Sequence, residues 1–91
     1  APNDALTREQ MALILYRYSQ HKGYDVQVDG DPLEAFQDAE EISDWAVEAM
    51  AWAVHAKLLS GTGEAQLSPR GTASRAEVAQ VLANFSQTVA A

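Results

Sequence analysis

Two arginines stand in the same local setting 67 residues apart, Arg8 in "LTREQM" and Arg75 in "ASRAEV". Each follows a hydroxyl residue, Thr7 or Ser74, and each lies two positions before an amide or carboxylate, Gln10 or Glu77. This spacing is a capping box, so both arginines belong to the first turn of a helix, where the dipole and unpaired amides favour an anion. A guanidinium placed there offers two parallel donors to a carboxylate. On this spacing alone Arg75 reads as a solvated surface residue or a partner of Glu77 or Glu64. His21 and His55 fall on separate segments with no H-E-x-x-H motif, no cysteine partner and no evident nucleophile, which argues against a metal or catalytic site. Asp25, Asp29 and Asp31 have part of a calcium-loop spacing. However, Gln27 stands at the third position, Pro32 follows at once, and Phe36 replaces the bidentate glutamate at the twelfth. That stretch reads as a linker. Among the aromatics, Trp52 reads as core, Trp45 as a groove edge, and Tyr18, which aligns with Phe85, as buried.

The elements that must position these residues follow from a repeat. "APNDALTREQMALILYRYSQ" (1–20) aligns with "SPRGTASRAEVAQVLANFSQ" (68–87), placing Pro2 on Pro69, Arg8 on Arg75, Leu15 on Leu82 and Ser19-Gln20 on Ser86-Gln87. Met11, Leu15 and Tyr18 recur at helical spacing, and Val78, Leu82 and Phe85 repeat the pattern, so the two helices are expected to bury one shared face. The first should end near Lys22, before Gly23, and the last should span about fifteen residues. Between them "SDWAVEAMAWAVHAKLLSG" predicts a third helix capped by Ser43, with Trp45, Ala49, Trp52 and Ala56 as its apolar stripe. The Gly-, Asp- and Pro-punctuated stretch before it holds at most one turn, near Leu33 to Phe36. Asp38 is read as a turn or cap leading into the Ser43 helix.

The composition narrows the class. With 91 residues, 47% of them hydrophobic, the chain can build one small helical core that favours stacking on neighbouring repeats. A net charge of −7 repels a phosphate backbone and argues against nucleic acid as a partner. The longest apolar run, Met11 to Tyr16, is far short of a membrane span, and no secretory leader pattern opens the chain. Without cysteine there are neither disulfides nor thiolate metal sites, and no cofactor is expected.

Read in order, Phe36-x-Asp38, Trp45-Ala46, Ala49-Met50, Leu58-Leu59-x-Gly61, Leu67-x-Pro69 and Ser74-Arg75-Ala76-Glu77 resemble the S-layer homology repeat, with no gap from Trp45 to Glu77. Lys57, Thr62 and Glu64-Ala65 depart from that family's pattern. The resemblance divides the chain into the closing half of one repeat (1–23), a linker (24–35) and one complete repeat (36–91). It implies an all-α fold of helix-loop-helix units, related to a pseudo-threefold bundle and completed by neighbouring repeats or by self-association as a homo-oligomer. Self-association is expected on the ground that the apolar faces of Met11, Leu15, Val78 and Leu82 are left partly uncovered. The resemblance also implies a non-catalytic module of an exported bacterial protein, extracellular and bound to acidic, pyruvylated secondary cell-wall polysaccharide. Arg75, Arg8, Gly61, Trp45 and Asp38 are the glycan-binding candidates, with Arg75 foremost, because Glu9 stands beside Arg8 and is expected to compete for its guanidinium. The alternative is a helical repeat that serves structure or protein interaction and binds no glycan.

Overall fold

The computed structural model describes residues 6–34, 36–59 and 70–89. The described residues form three α-helices, α1 (Arg8–Lys22), α2 (Val47–His55) and α3 (Arg75–Thr88), with two 3-10 turns ahead of α2 at Ala39–Glu41 and Asp44–Ala46. No strand occurs among them, and the fold is all-α as expected.

The start of α1 is a complete capping box. The Thr7 hydroxyl accepts the Gln10 amide N–H at 3.2 Å, and the Gln10 side-chain oxygen accepts the Thr7 N–H at 2.9 Å. At its other end Gly23 takes the left-handed conformation (φ +79°), so that its N–H reaches Gln20 O and the Tyr24 N–H reaches Ser19 O. This pair of reversed bonds is a Schellman motif, and glycine suits it because no Cβ opposes a positive φ. The same motif ends α2, where Lys57 N–H bonds Val54 O and Leu58 N–H bonds Ala53 O. The left-handed position there is Lys57, at φ +63°, a conformation that costs a residue with a side chain about 1 kcal/mol. Lys57 is also one of the positions at which the sequence departs from the repeat pattern it resembles.

The core forms where α1 crosses α2. Met11, Ala12 and Leu15 pack with Ala49, Met50, Trp52 and Ala53, while Leu33, Ile42, Leu58 and Leu59 close the ends and Val81 and Phe85 arrive from α3. Trp52, 1% exposed, is the hub: its ring lies 5.7 Å from that of Tyr16 on α1 and 6.4 Å from that of Phe85 on α3. Its assignment to the core holds.

Several expectations do not hold. Met11 and Leu15 are buried within the chain rather than left uncovered. The two repeated helices do not share a buried face: Leu15 is 8% exposed against 49% for its equivalent Leu82, and Ile14 is 56% exposed against 4% for its equivalent Val81. The buried stripe of α3 is thus displaced by one residue, about 100° around the axis, because α1 faces α2 whereas α3 faces Trp52 and the tyrosines of α1 and its exit. Tyr18 is half exposed, though its ring still touches those of Phe85 and Tyr24. Trp45 leaves the stripe of α2 with 52% exposure, because the turn that carries it is 3-10, and its 120° per residue breaks the register with Ala49. Ser43 precedes that turn without capping it through its side chain, and Asp38 precedes the turn at Ala39–Glu41 likewise.

Candidate functional site

The two arginine-bearing segments meet start to start. Thr7 and Thr72 form an antiparallel bridge, Arg8 N–H donates to Gly71 O at 3.0 Å, and Ala73 N–H donates to Leu6 O at 2.8 Å. That pairing carries Arg8 across to α3, where its Nε donates to Glu77 Oε2 at 2.6 Å and its Nη2 to Glu77 Oε1 at 2.9 Å. The contact is bidentate and partly buried. Glu77 therefore completes only half of a capping box: its N–H reaches the Ser74 hydroxyl at 3.1 Å, but its carboxylate is turned to Arg8.

The offset that carries Arg8 onto Arg75 also carries Gln10 onto Glu77. The Leu6–Ala73 hydrogen bond and the Tyr18–Phe85 ring contact each join a residue to its own repeat equivalent. In the repeat alignment the counterpart of Arg8–Glu77 is Arg75–Gln10. Gln10 is neutral, and its side-chain oxygen is already taken by the Thr7 N–H. Arg75 is accordingly exposed and makes no hydrogen bond or ion pair with the described residues.

Glu9 does not compete for Arg8, contrary to expectation. It is buried, and its two oxygens accept the Ser43 N–H at 2.9 Å and the Ser43 hydroxyl at 2.8 Å. Both donors of Ser43 are thus held by the Glu9 carboxylate of α1, and its side chain makes no cap bond to the turn that follows. The sequence carried a signal for this contact: Glu9 lies three residues before Ala12, on the face that α1 buries, where an acidic side chain requires a partner.

The remaining candidates lie elsewhere. Asp38 is buried beside the Ala39–Glu41 turn. Gly61 is outside the described residues. Trp45 borders a cleft between α1 and α2 whose lining includes neither arginine of the paired starts. In that cleft the Tyr16 hydroxyl donates to Glu48 Oε2 at 3.3 Å. Burial, reinforced by the Glu48 charge and this hydrogen bond, raises its pKa above the usual phenol value, so it stays protonated at neutral pH. His21 and His55 are both exposed.

A family model of the S-layer homology domain matches residues 35–79. Residues 35–79 are an S-layer homology domain. The match runs from the turn before α2 into the first turn of α3 and takes in Arg75 and Glu77. Two curated relatives are each 35% identical over 82 residues, or 89% of this chain: an exoglucanase, XynX, of Acetivibrio thermocellus and an amylopullulanase of Thermoanaerobacterium thermosulfurigenes. The matched region is 7% of the first and 4% of the second, so the chain spans less than a tenth of either relative. No solved structure matches it. The S-layer homology domain is a non-catalytic module that anchors proteins at the cell wall. No helix of the described residues is long and apolar enough to cross a membrane.

Proposed function

We propose that this chain attaches its parent protein to the outer face of a bacterial cell by gripping acidic secondary cell-wall polysaccharide, with pyruvyl carboxylates as the groups recognised. Arg75 is the principal anion contact. The observation that carries this reading is the contrast between two equivalent arginines, one locked to Glu77 and the other exposed at a helix start with no charge partner among the described residues. A guanidinium at the first turn of α3 has the dipole behind it and two parallel donors in front. Gly61, Trp45 and Asp38 are carried as further contacts on the family resemblance, with Arg8 subordinate because Glu77 already occupies its fork. The first copy fits the rival structural role better, since Arg8 and Glu9 both hold elements together. Residues 1–23 then form the closing half of one repeat, 24–35 the linker and 36–91 a complete repeat. The small share of each relative that matches supports a module appended to a larger protein.

Titration calorimetry of the chain with pyruvylated and with chemically depyruvylated wall polysaccharide tests the reading. Saturable binding that weakens on removal of the ketals is expected. Equal affinity for both polymers sinks the carboxylate grip, and no binding to either favours the structural rival.

A further inference from the structure

The cleft that holds Trp45 is built differently from the paired starts. One wall is α1, contributing Leu13, Tyr16, Arg17 and Gln20, and the other is the Asp44–Ala46 turn with Trp45 and the start of α2 with Glu48; the half-open cleft has a volume of about 290 Å³. That is close to the roughly 300 Å³ at which small-molecule sites begin, which suits one sugar ring better than a larger ligand. Trp45 lines this space and is half exposed, whereas the other tryptophan of the chain, Trp52, is buried. Tyr16 is fixed behind it by ring contact with Trp52 and by the hydrogen bond to Glu48. The aromatic wall is therefore formed before any ligand arrives.

The polar lining alternates donors and acceptors. Arg17 and Gln20 offer N–H groups from α1, while Asp44 and Glu48 offer carboxylate oxygens from the facing element. Adjacent hydroxyls of a pyranose need this combination, since each both accepts and donates. The C–H face of the same ring supplies the apolar surface that an exposed indole matches. The charged lining is one guanidinium and two carboxylates, which repels an acidic ligand and leaves an uncharged sugar as the complementary class.

We propose that this cleft is a second glycan subsite, taking an uncharged pyranose unit stacked on Trp45 and hydrogen-bonded by Arg17, Gln20, Asp44 and Glu48. It rests on and deepens the attachment reading by giving the polymer a neutral contact in addition to the acidic one at Arg75. Two modest contacts on one chain raise its residence without either being tight.

The test follows the two indole N–H signals and the backbone amides of 16–20 by NMR, with depyruvylated wall polysaccharide and with N-acetylglucosamine as probes. Saturable shifts at Trp45 and along 16–20 are expected with at least one probe. Trp45→Ala should weaken the response about tenfold and Trp45→Tyr should restore most of it. Arg17→Ala, at an exposed position that spares the fold, should weaken it severalfold, and it decides the matter should Trp45→Ala fail to fold. No saturable shift with either probe, or an unchanged affinity in Arg17→Ala and Trp45→Ala, overturns the subsite. Because these probes carry no pyruvyl group, that failure is separate from failure of the carboxylate grip, which is read from the loss of affinity on depyruvylation.

Discussion

The two copies of the repeat begin alike and then part. In each, a hydroxyl residue caps a helix and an arginine follows it, yet Arg8 closes a two-pronged ion pair while Arg75 faces solvent. Two neighbouring positions account for the split. Position 10 is glutamine where position 77 is glutamate, so the residue equivalent to Glu77 offers no carboxylate. Position 9 is a buried glutamate holding Ser43, where its equivalent Ala76 is exposed. The first copy braces two segments of the chain, and the second leaves its guanidinium exposed, with no charge partner among the described residues. A repeat signature thus preserves local geometry while a single change of charge reassigns what that geometry does.

The contrast can be broken most forcefully at Glu9. Glu9→Ala leaves the N–H and hydroxyl of Ser43 without their acceptor inside the protein and should lower stability by about 3 kcal/mol, given the worth of hydrogen bonds to a charged group. Ala76→Glu, the mirror change at an exposed position, should stay within about 0.5 kcal/mol. Urea unfolding of both proteins checks this, and equal losses would mean that the copies are not differentiated at this position.

Arg8→Ala should cost about 1–2 kcal/mol, less than a fully buried pair because both side chains keep some contact with water. The double-mutant cycle with Glu77→Ala isolates the coupling. A coupling near zero would show that the ion pair contributes nothing to the docking of α3.

Gln10→Glu should act on binding more than on stability. Glutamate serves a capping box as well as glutamine does, so the start of α1 survives and the unfolding midpoint moves by no more than a few tenths of a kcal/mol. The new carboxylate creates the reciprocal partner of Arg75, and affinity for pyruvylated polysaccharide should fall severalfold. Unchanged affinity would show that position 10 lies out of reach of Arg75.

Much of the fold was legible in the sequence, and the reasons are local. Thr7 with Gln10 marked the start of α1, Gly23 marked its end, and Ser74 marked the start of α3, because caps depend on three or four consecutive residues. The core position of Trp52 followed from an apolar stripe within one helix. Arg75 was found as an exposed helix-start arginine through the repeat and the family motif together. What could not be read depends on partners distant in the chain. Leu82 and Val81 exchange burial relative to Leu15 and Ile14 because the faces they meet belong to other elements. Tyr18 is half exposed for the same reason. Trp45 moved off its stripe because a 3-10 turn replaced the first turn of a helix, a difference that spacing at 100° per residue cannot reveal. The grip of Glu9 on Ser43 spans 34 positions and leaves in the sequence only the oddity of an acid on an apolar face.

The central claim is that Arg75 binds and does not brace, and one measurement addresses it directly: titration of pyruvylated wall polysaccharide into wild type, Arg75→Ala and Arg75→Lys, with the unfolding midpoint of each recorded alongside. Arg75→Ala should lose about 1.5–3 kcal/mol of binding free energy, the worth of a charge-assisted hydrogen bond, with its midpoint unmoved. Arg75→Lys should recover little of that loss, since an ammonium keeps the charge but lacks the planar fork. An Arg75→Ala protein that binds as tightly as wild type, or one whose weaker binding is accompanied by an equal fall in stability, would contradict the account.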